Sequence, residues 1–590
     1  MRHIFPKKRE RGAGGRAGDD LIENQVILPR APQKNDASLP TLSHLSTEVI
    51  TMIIDVLYND SPASADELAC TSSFYYHLTR YRQYREVCVA ISTTTNEVAF
   101  QNRLVVVEKE GLLPAIRRVR VRIGAIDKQK CTTTMIEFIG KMMTLADLEW
   151  RYAKNIKMST CVPNQLISLL QSRPQVRLHA GVSPPSVLHP RSEHDLEYNL
   201  YRLEGLKNLS SFQVRFTYRK SKICDFISPC VKHMLMSCPN LRKLTIDIKR
   251  RAWAHDRLSE HYAGFGFMDG ERLPALEELN LVNYKFGHAE DGELPWPWER
   301  CIGYPGSGDE IIYWAETFDW SILRRLHLHQ VTLTKELAPK LVSLQEVSVY
   351  GYEAQRFFQS LPVGLSTIRV GDIFMIGLEA LVRHGRCLKT LDLQSHYYHC
   401  YNPPQYISSS WLLIIQQECP HIRDLAIDVG RDGEWPYERL DILAGFPQLQ
   451  NLTIRLDSGR PNGRPNKIRQ PYVTYSAVCH LFSYLLSQRS SAMKPLRQLT
   501  INTGLFHDWD TPTLREWARD IAITFSCRVS GAGGGDNSNG SLNVRCQHLS
   551  DEENQQLATS TPGSNASIGS NRRLRIAQQG PVACEWHDPS

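Results

Sequence analysis

The most regular feature of the chain is a six-residue hydrophobic pattern that recurs through its middle and C-terminal parts. Each copy has an aliphatic residue, two variable residues, a second aliphatic residue, one variable residue and a third aliphatic residue. The clearest copies begin at Leu241, Leu276, Leu323, Leu344, Leu365, Leu388, Ile422, Leu449 and Leu496, and weaker ones at Ile116, Leu145 and Leu209. A pattern repeated this often predicts a repeat architecture rather than one ordinary core.

The spacing within each copy predicts how a repeat folds. Its last two aliphatic residues flank a polar residue, which is typical of a strand that points both aliphatic side chains to one face. The first aliphatic residue anchors the turn that enters the strand. One repeat cannot close such a core alone, so stacked neighbours are expected to form a parallel sheet. Apolar residues at helical spacing in 224–237, 411–418 and 475–486 predict helices between the strands.

These repeats resemble leucine-rich repeats, over roughly residues 116–529. Several copies follow one another within the period of about 20–29 residues of that family. The family places Asn or Cys three residues after the third aliphatic residue, whereas this chain has Lys249, Tyr284, Val331 and His396 there. The resemblance implies an α/β fold: an irregular solenoid of parallel strands with outer helices, which we expect over residues 86–548.

A second pattern precedes the repeats. Leu45, Val49, Ile53 and Leu57 are spaced four residues apart, and Met52 and Val56 widen the same apolar stripe of a predicted helix. Ser46 can cap this helix, and Glu48 lies in its first turn, where the helix dipole favours an anion. A second helical stretch follows at residues 65–78.

This N-terminal series resembles the F-box found in fungal repeat proteins. The matching residues are Leu45, Glu48, Ile53, Leu57, Leu68, Phe74 and Leu78, followed by an exit at Tyr84-Arg85-Glu86-Val87. Ser46 stands where that family usually has proline. We therefore expect an F-box-like helical motif over residues 39–85.

The resemblance implies a substrate receptor of a Skp–cullin–F-box ubiquitin ligase, which performs no chemistry itself. The helices would dock a Skp-family adaptor, and the repeats would hold a protein substrate near the ubiquitin-conjugating enzyme. The implied adaptor-binding residues are Leu42, Leu45, Glu48, Val49, Ile53, Leu57, Leu68, Phe74 and Leu78. Two alternatives stay open: the helices only cap the solenoid, or the protein is a repeat scaffold outside any ligase.

Aromatic residues outside the repeat pattern are candidates for binding the substrate. Trp296 and Trp298 belong to a Trp- and Pro-rich insertion near 286–320, which could grip a substrate or fold over the repeat edge. His396, Tyr397, Tyr398 and Tyr401 follow a strand, and Trp435 follows another. Aromatic side chains on a solenoid rim are good anchors for a partner. His396, His399 and Cys400 lack the second ligand pair that structural zinc requires.

The ends of the chain have a different composition. Residues 1–38 are polar and Gly/Arg-rich, and residues 549–590 are rich in Ser, Asn and Gln, so both predict disorder. Before the second tail, the short segments 526–530 and 542–546 flank a glycine-rich stretch. No periodic helix follows those glycines, as a phosphate-binding loop requires, so a β-hairpin is the better prediction.

Composition changes this picture little. The net charge of +7 is spread over 590 residues with 62 acidic side chains, so it does not indicate a nucleic-acid partner. The chain has no apolar run long enough to span a membrane, and its 15 cysteines lack a disulfide pattern, which favours the cytoplasm or nucleus. Lys7-Lys8-Arg9 fits a nuclear import signal or a solvated tail. Catalytic motifs are absent from the sequence, so we expect neither enzymatic activity, nor a cofactor, nor a metal.

Overall fold

The fold is described from a computed structural model, which covers Leu42 and most of residues 45–559. The structure leaves undescribed residues 1–41, 43–44, 61, 92–93, 124–127, 153–161, 183–199, 219–220, 251–263, 285, 287–308, 330–334, 351–353, 363, 372–373, 375, 395–405, 457–469, 504–522, 530–541, 548 and 560–590. The chain divides into two compact units. The N-terminal unit comprises residues up to 217 with 226–243, and the C-terminal unit comprises 218–225 with residues from 244 onward.

The N-terminal unit begins with three helices that pack on one another: α1 (Thr47–Asp60), α2 (Pro62–Ala69) and α3 (Ser73–Gln83). Strands and helices then alternate: β1 (Glu86–Ile91), α4 (Thr94–Lys109), β2 (Arg118–Ile123), α5 (Lys128–Lys141), β3 (Asp147–Tyr152), α6 (Asn164–Gln171), β4 (Arg177–Val182), β5 (Leu209–Tyr218) and α7 (Ser221–Ser237). Strands β1–β5 pair in chain order and in parallel.

The C-terminal unit continues the alternation over a longer stretch. Its elements are β6 (Lys243–Arg250), β7 (Glu278–Val282), α8 (Glu310–Thr317), β8 (Arg325–His329), β9 (Glu346–Tyr350), α9 (Ala354–Ser360), β10 (Thr367–Val370), α10 (Leu378–Val382), β11 (Thr390–Leu393), α11 (Ser409–Glu418), β12 (Asp424–Val429), α12 (Tyr437–Ala444), β13 (Asn451–Leu456), α13 (Tyr475–Ser487), β14 (Gln498–Thr503), β15 (Thr524–Val529), β16 (Leu542–Cys546) and α14 (Asp551–Thr559). Strands β7–β14 pair in parallel and in chain order, and β15 and β16 add antiparallel strands.

The six-residue pattern lies where the sequence predicts it. In the copy that forms β10, Leu365, Ile368 and Val370 are all buried, and the other copies behave in the same way. The copies stack in register, as Ile368 pairs with Val347 on one side and with Leu391 on the other. The predicted α/β class is confirmed, and parallel strands in chain order are the arrangement expected of stacked repeats. Strand β4, which lacks a full copy of the pattern, is a strand that the sequence did not predict.

In most of the repeats, the turn before the strand is joined to the preceding turn by a backbone hydrogen bond. The N–H of the residue after the first aliphatic residue donates to the carbonyl of the equivalent residue in the preceding repeat. Examples are Ser366 to Gln345 (2.9 Å), Lys389 to Ser366 (2.9 Å) and Arg423 to Lys389 (2.7 Å). This ladder shows that the first aliphatic residue does anchor a regular turn.

Side chains that bond the backbone between repeats differ from those of the leucine-rich-repeat pattern. Tyr284, at one of the four departing positions, is buried; its hydroxyl accepts from the Phe265 N–H (3.0 Å) and donates to Glu310 (2.8 Å). At the opposite end of the strands, buried Asn208 donates to the carbonyls of Arg173 (2.9 Å) and Val176 (2.8 Å). Val331 and His396 lie outside the described residues.

Replacement of Asn208 with alanine is expected to lower the free energy of unfolding by about 2 kcal/mol, because two buried side-chain hydrogen bonds to backbone carbonyls are then lost. Urea unfolding followed by circular dichroism measures this loss. Asn240→Ala is the control, since that exposed side chain makes one such bond, to the Lys207 carbonyl. If both variants lost the same free energy of unfolding, the burial of Asn208 would not be the reason for its larger contribution.

The C-terminal end confirms one prediction and corrects another. Strands β15 and β16 form the predicted antiparallel hairpin, with Cys527 opposite Val544. The segment from Asp551, for which the composition predicts disorder, instead begins with helix α14. Ser550 explains it: its hydroxyl accepts from the Glu553 N–H (3.1 Å), and the Glu553 carboxylate accepts from the Ser550 N–H (2.8 Å). This reciprocal capping fixes the first turn of the helix.

Candidate functional site

Helix α1 carries an apolar surface that the described residues leave uncovered. Leu45, just before the helix, is 40% exposed, and Val49, Met52 and Val56 on the helix are 41%, 66% and 58% exposed. We call these four residues the α1 apolar face. They follow one another at steps of three and four residues, which places them on one side of a helix.

The opposite side of α1 forms the core of the three-helix region. Ile50 and Ile54 are buried, Ile54 completely. The helix is therefore apolar on two sides, one turned inward and one turned to solvent. A helix that is apolar on most of its surface is normally buried, and an exposed apolar patch on a folded protein marks an interaction surface.

Local interactions fix the start of α1. The Ser46 hydroxyl accepts from the Val49 N–H at 3.4 Å, as a helix cap does, and this agrees with the predicted cap. Glu48 is exposed in the first turn. Hydrogen bonds from its own backbone N–H and from Ser46 lower the pKa of the Glu48 carboxyl. The carboxylate therefore stays charged at neutral pH beside the apolar face.

Ion pairs hold α1 against α3 and the segment that follows it, and thereby orient the α1 apolar face. Asp55 forms ion pairs with Arg82 and, at 3.6 Å, with Arg85. The Arg82 guanidinium also lies over the Tyr58 ring, 5.2 Å from its centroid. All three contacts use the polar and inner sides of α1, so none of them covers the face that carries Val49 and Met52.

The helices are also joined to the start of the sheet. Arg80 on α3 forms an ion pair with Glu110, in the turn after α4, and its guanidinium lies 5.0 Å from the centroid of the Tyr84 ring. Tyr84 is buried, two residues before β1. The predicted exit at Tyr84-Arg85-Glu86-Val87 is thus the junction through which the helices meet the first repeat.

The predicted adaptor-binding residues fall into two groups. Leu42, Leu45, Glu48 and Val49 are exposed, whereas Ile53, Leu57, Leu68, Phe74 and Leu78 are only partly exposed. The four-residue stripe is not a single face, because each step of four overshoots one helical turn. It passes from exposed Leu45 to partly covered Leu57. Met52 and Val56, which only widened the predicted stripe, are its most exposed members.

Trp435 is the one predicted substrate anchor among the described residues. Trp296, Trp298, His396, Tyr397, Tyr398 and Tyr401 lie outside the described residues. Trp435 is half-buried, with the Arg431 guanidinium 5.9 Å from the centroid of its ring. In the insertion, Trp314 and Trp320 are buried in an aromatic cluster. These two tryptophans therefore belong to the core and not to a gripping surface.

The polar side of the C-terminal sheet carries an ion-pair cluster around Arg455 that sequence analysis missed. Arg455 on β13 pairs with Asp392 on β11 at 2.7 Å and with Asp428 on β12. The same guanidinium donates to the Leu393 carbonyl at 2.8 Å. Burial alone would lower the pKa of Arg455, but the carboxylates of Asp428 and Asp392 raise it. The three residues are far apart in sequence, and only the strand register brings them together.

Two properties of the described part of the chain bear on its chemistry. It contains no group of three His, Cys, Asp or Glu side chains placed to hold a metal ion. None of its helices is both long and apolar enough to cross a bilayer.

Comparison with known proteins does not place the chain in a family. No protein-family model matches it, and no curated protein matches it significantly.

Proposed function

We propose that this protein is the substrate-recognition subunit of a Skp–cullin–F-box ubiquitin ligase. The observation that carries the proposal is the α1 apolar face, which the described residues leave exposed. If the three helices served only to cap the repeats, that side of α1 would have no reason to be apolar. A Skp-family adaptor offers the apolar partner that such a face needs, as the resemblance to the F-box implies.

Docking on the α1 apolar face is favourable because it removes Leu45, Val49, Met52 and Val56 from water. Each buried side chain of this size contributes at most about 1.5–3 kcal/mol, and these are already partly covered. The ion pairs of Asp55 fix the helix before the partner arrives, so little ordering is required on binding.

The repeats supply the second half of the proposed function. Their strands bury one row of side chains and leave the alternate, mostly polar side chains on the other face. In β12 these partly exposed positions are Asp424, Ala426 and Asp428. A protein substrate held on such a surface is kept near the ubiquitin-conjugating enzyme, which raises the local concentration of its lysines. The chain itself contributes no reacting group.

The proposal predicts that Val49→Asp/Met52→Asp abolishes binding to a purified Skp-family adaptor. The two carboxylates would enter an apolar interface without a partner, which is unfavourable. Both positions are exposed in the free protein, so the midpoint of urea unfolding should not change. Binding is measured by co-purification and by isothermal titration calorimetry with the full chain.

A control of the same chemistry is available on α4. Val105 and Val106 are 63% and 44% exposed, and Val105→Asp/Val106→Asp should leave adaptor binding intact. If the unmodified chain does not bind the adaptor, or if both double variants lose binding equally, the ligase proposal fails. The repeat scaffold outside a ligase would then be the better description.

A further inference from the structure

The polar face of the N-terminal sheet is built from rows of side chains that run across the strands. In the first row, Glu86, Arg118, Asp147 and Arg177 alternate in sign. Arg118 lies 3.6 Å from Glu86 and 3.7 Å from Asp147, and Arg177 lies 2.9 Å from Asp147. Burial alone would raise the pKa of Asp147, but the hydrogen bonds and charges of Arg177 and His179 together lower it. Each charged side chain of this row therefore has an oppositely charged partner within the chain.

The second row is satisfied in the same way. Arg120 on β2 lies 2.9 Å from Glu86 and 3.5 Å from Glu149 on β3. The three carboxylates described on this face, Glu86, Asp147 and Glu149, are thus each shared between two arginines, since Arg151 also reaches Glu149. Opposite charges on neighbouring strands stabilise a sheet, and both rows follow that rule.

The third row breaks the rule. The register places Arg122 on β2 directly beside Arg151 on β3, and both side chains are exposed. Arg151 reaches Glu149 at 2.9 Å, a carboxylate that it shares with Arg120. Among the described side chains Arg122 has no ion pair. Like charges directly opposite each other are destabilising, so this pair calls for an anion from outside.

The neighbours of the pair leave room for one. On β1, Ala90 pairs with Arg122. On β4, Gly181 is the neighbour of Arg151, because the preceding residues, Trp150 and Ala180, pair with each other. Neither residue has a side chain that could cover a guanidinium. The two arginines therefore lie side by side, flanked by small residues.

The charge of the whole face favours an acidic partner. On the polar face of β1–β5 the described residues include six arginines (Arg118, Arg120, Arg122, Arg151, Arg177 and Arg215) and three carboxylates (Glu86, Asp147 and Glu149). Guanidinium groups bind carboxylates through paired, charge-assisted hydrogen bonds. Two adjacent guanidinium groups fit two carboxylates on a short stretch of an extended chain.

We propose that Arg122 and Arg151 form a docking site for an Asp- and Glu-rich segment of a partner protein. That this partner is a ligase substrate rests on the proposed function; the docking site itself does not. The partner's carboxylates supply the negative charge that the third row lacks, and its backbone lies across Ala90 and Gly181.

The test uses the full chain and a fluorescein-labelled peptide of glutamate residues, with the corresponding glutamine peptide as the neutral reference. Anisotropy should show binding of the glutamate peptide alone. Arg122→Gln/Arg151→Gln should weaken it by at least about tenfold, since two charge-assisted contacts are lost. Arg528→Gln/Arg545→Gln removes the same charge from β15 and β16, where both arginines are exposed, and should leave the affinity within about twofold.

Three outcomes would overturn the proposal. The first is equal affinity of the parent and the Arg122→Gln/Arg151→Gln variant, and the second is equal weakening in both double variants. The third is that an oligothymidine binds as tightly as the glutamate peptide and that Arg122→Gln/Arg151→Gln abolishes this binding, which would assign the site to nucleic acid. Measurements of adaptor binding and peptide binding in both variants distinguish this proposal from the proposed ligase function. Arg122→Gln/Arg151→Gln should still bind the adaptor, and Val49→Asp/Met52→Asp should still bind the glutamate peptide.

Discussion

Replacement of Trp314 with alanine is expected to lower the stability of the surrounding repeats by about 4 kcal/mol, the range for removing a buried aromatic side chain. Trp314 is only 1% exposed. Its ring contacts those of Phe267, Tyr284, Phe286 and Phe318, with centroids 4.8–5.5 Å apart. Alanine at this position leaves a cavity that four rings line, and such a rigid wall cannot collapse to fill it.

Amide hydrogen exchange in β7 and β8 measures this loss, because Tyr284 and Phe286 follow β7, and Phe318 lies between α8 and β8. Ile312→Ala is the control on the same helix, since Ile312 is 36% exposed and should cost less than about 1 kcal/mol. Comparable losses of protection in the two variants would show that the aromatic cluster is not the core of this segment.

Trp314→Phe separates ring packing from the indole N–H. The buried N–H of Trp314 has no hydrogen-bond partner among the described residues. Phenylalanine removes that unsatisfied donor while it keeps most of the ring contacts, so its cost should be well below that of alanine.

The sequence predicts the repeats well because their information is local. The spacing of residues such as Leu365, Ile368 and Val370 predicts a strand with alternate side chains on one face, and the residues between copies predict a helix. The stacking of such repeats requires no further sequence signal. The insertion near Trp314 is different. Its tryptophans are compatible with a surface loop or with a core, and only packing against Phe267 and Tyr284 decides between them.

Two features could have been read from the sequence more closely. Ser550 followed by Glu553 is the capping-box pattern that begins α14, yet the polar composition of the segment suggests disorder. The apolar residues of α1 fall on two sides of the helix, which Ile50 and Ile54 reveal once helical steps of three and four are both followed.

The row of Arg122 and Arg151 could not be predicted from the sequence. The two residues belong to different repeats, and their adjacency depends on the register between β2 and β3. A shift of one residue would turn each side chain to the other face of the sheet. The Arg455 cluster has the same origin, since its carboxylates come from two other strands.

The two sides of α1 lead to opposite expectations for Ile54→Ala and Val56→Ala. Ile54 is fully buried between the helices, so its truncation should lower the stability of the three-helix region by about 3 kcal/mol. Val56 is 58% exposed, and its truncation should change stability by less than about 0.5 kcal/mol. In the proposed function, Val56→Ala should instead weaken adaptor binding severalfold, because an apolar contact is removed from the interface.

Amide exchange in α1–α3 and calorimetry with the adaptor measure the two effects in the same pair of variants. Loss of protection in Val56→Ala would mean that this side of α1 packs within the chain, and the α1 apolar face would no longer be a docking surface. A stable Val56→Ala variant with unchanged adaptor affinity would place the adaptor elsewhere. Only the combination of a destabilised Ile54→Ala and a stable, weakly binding Val56→Ala agrees with a helix whose inner side builds the fold and whose outer side binds a partner.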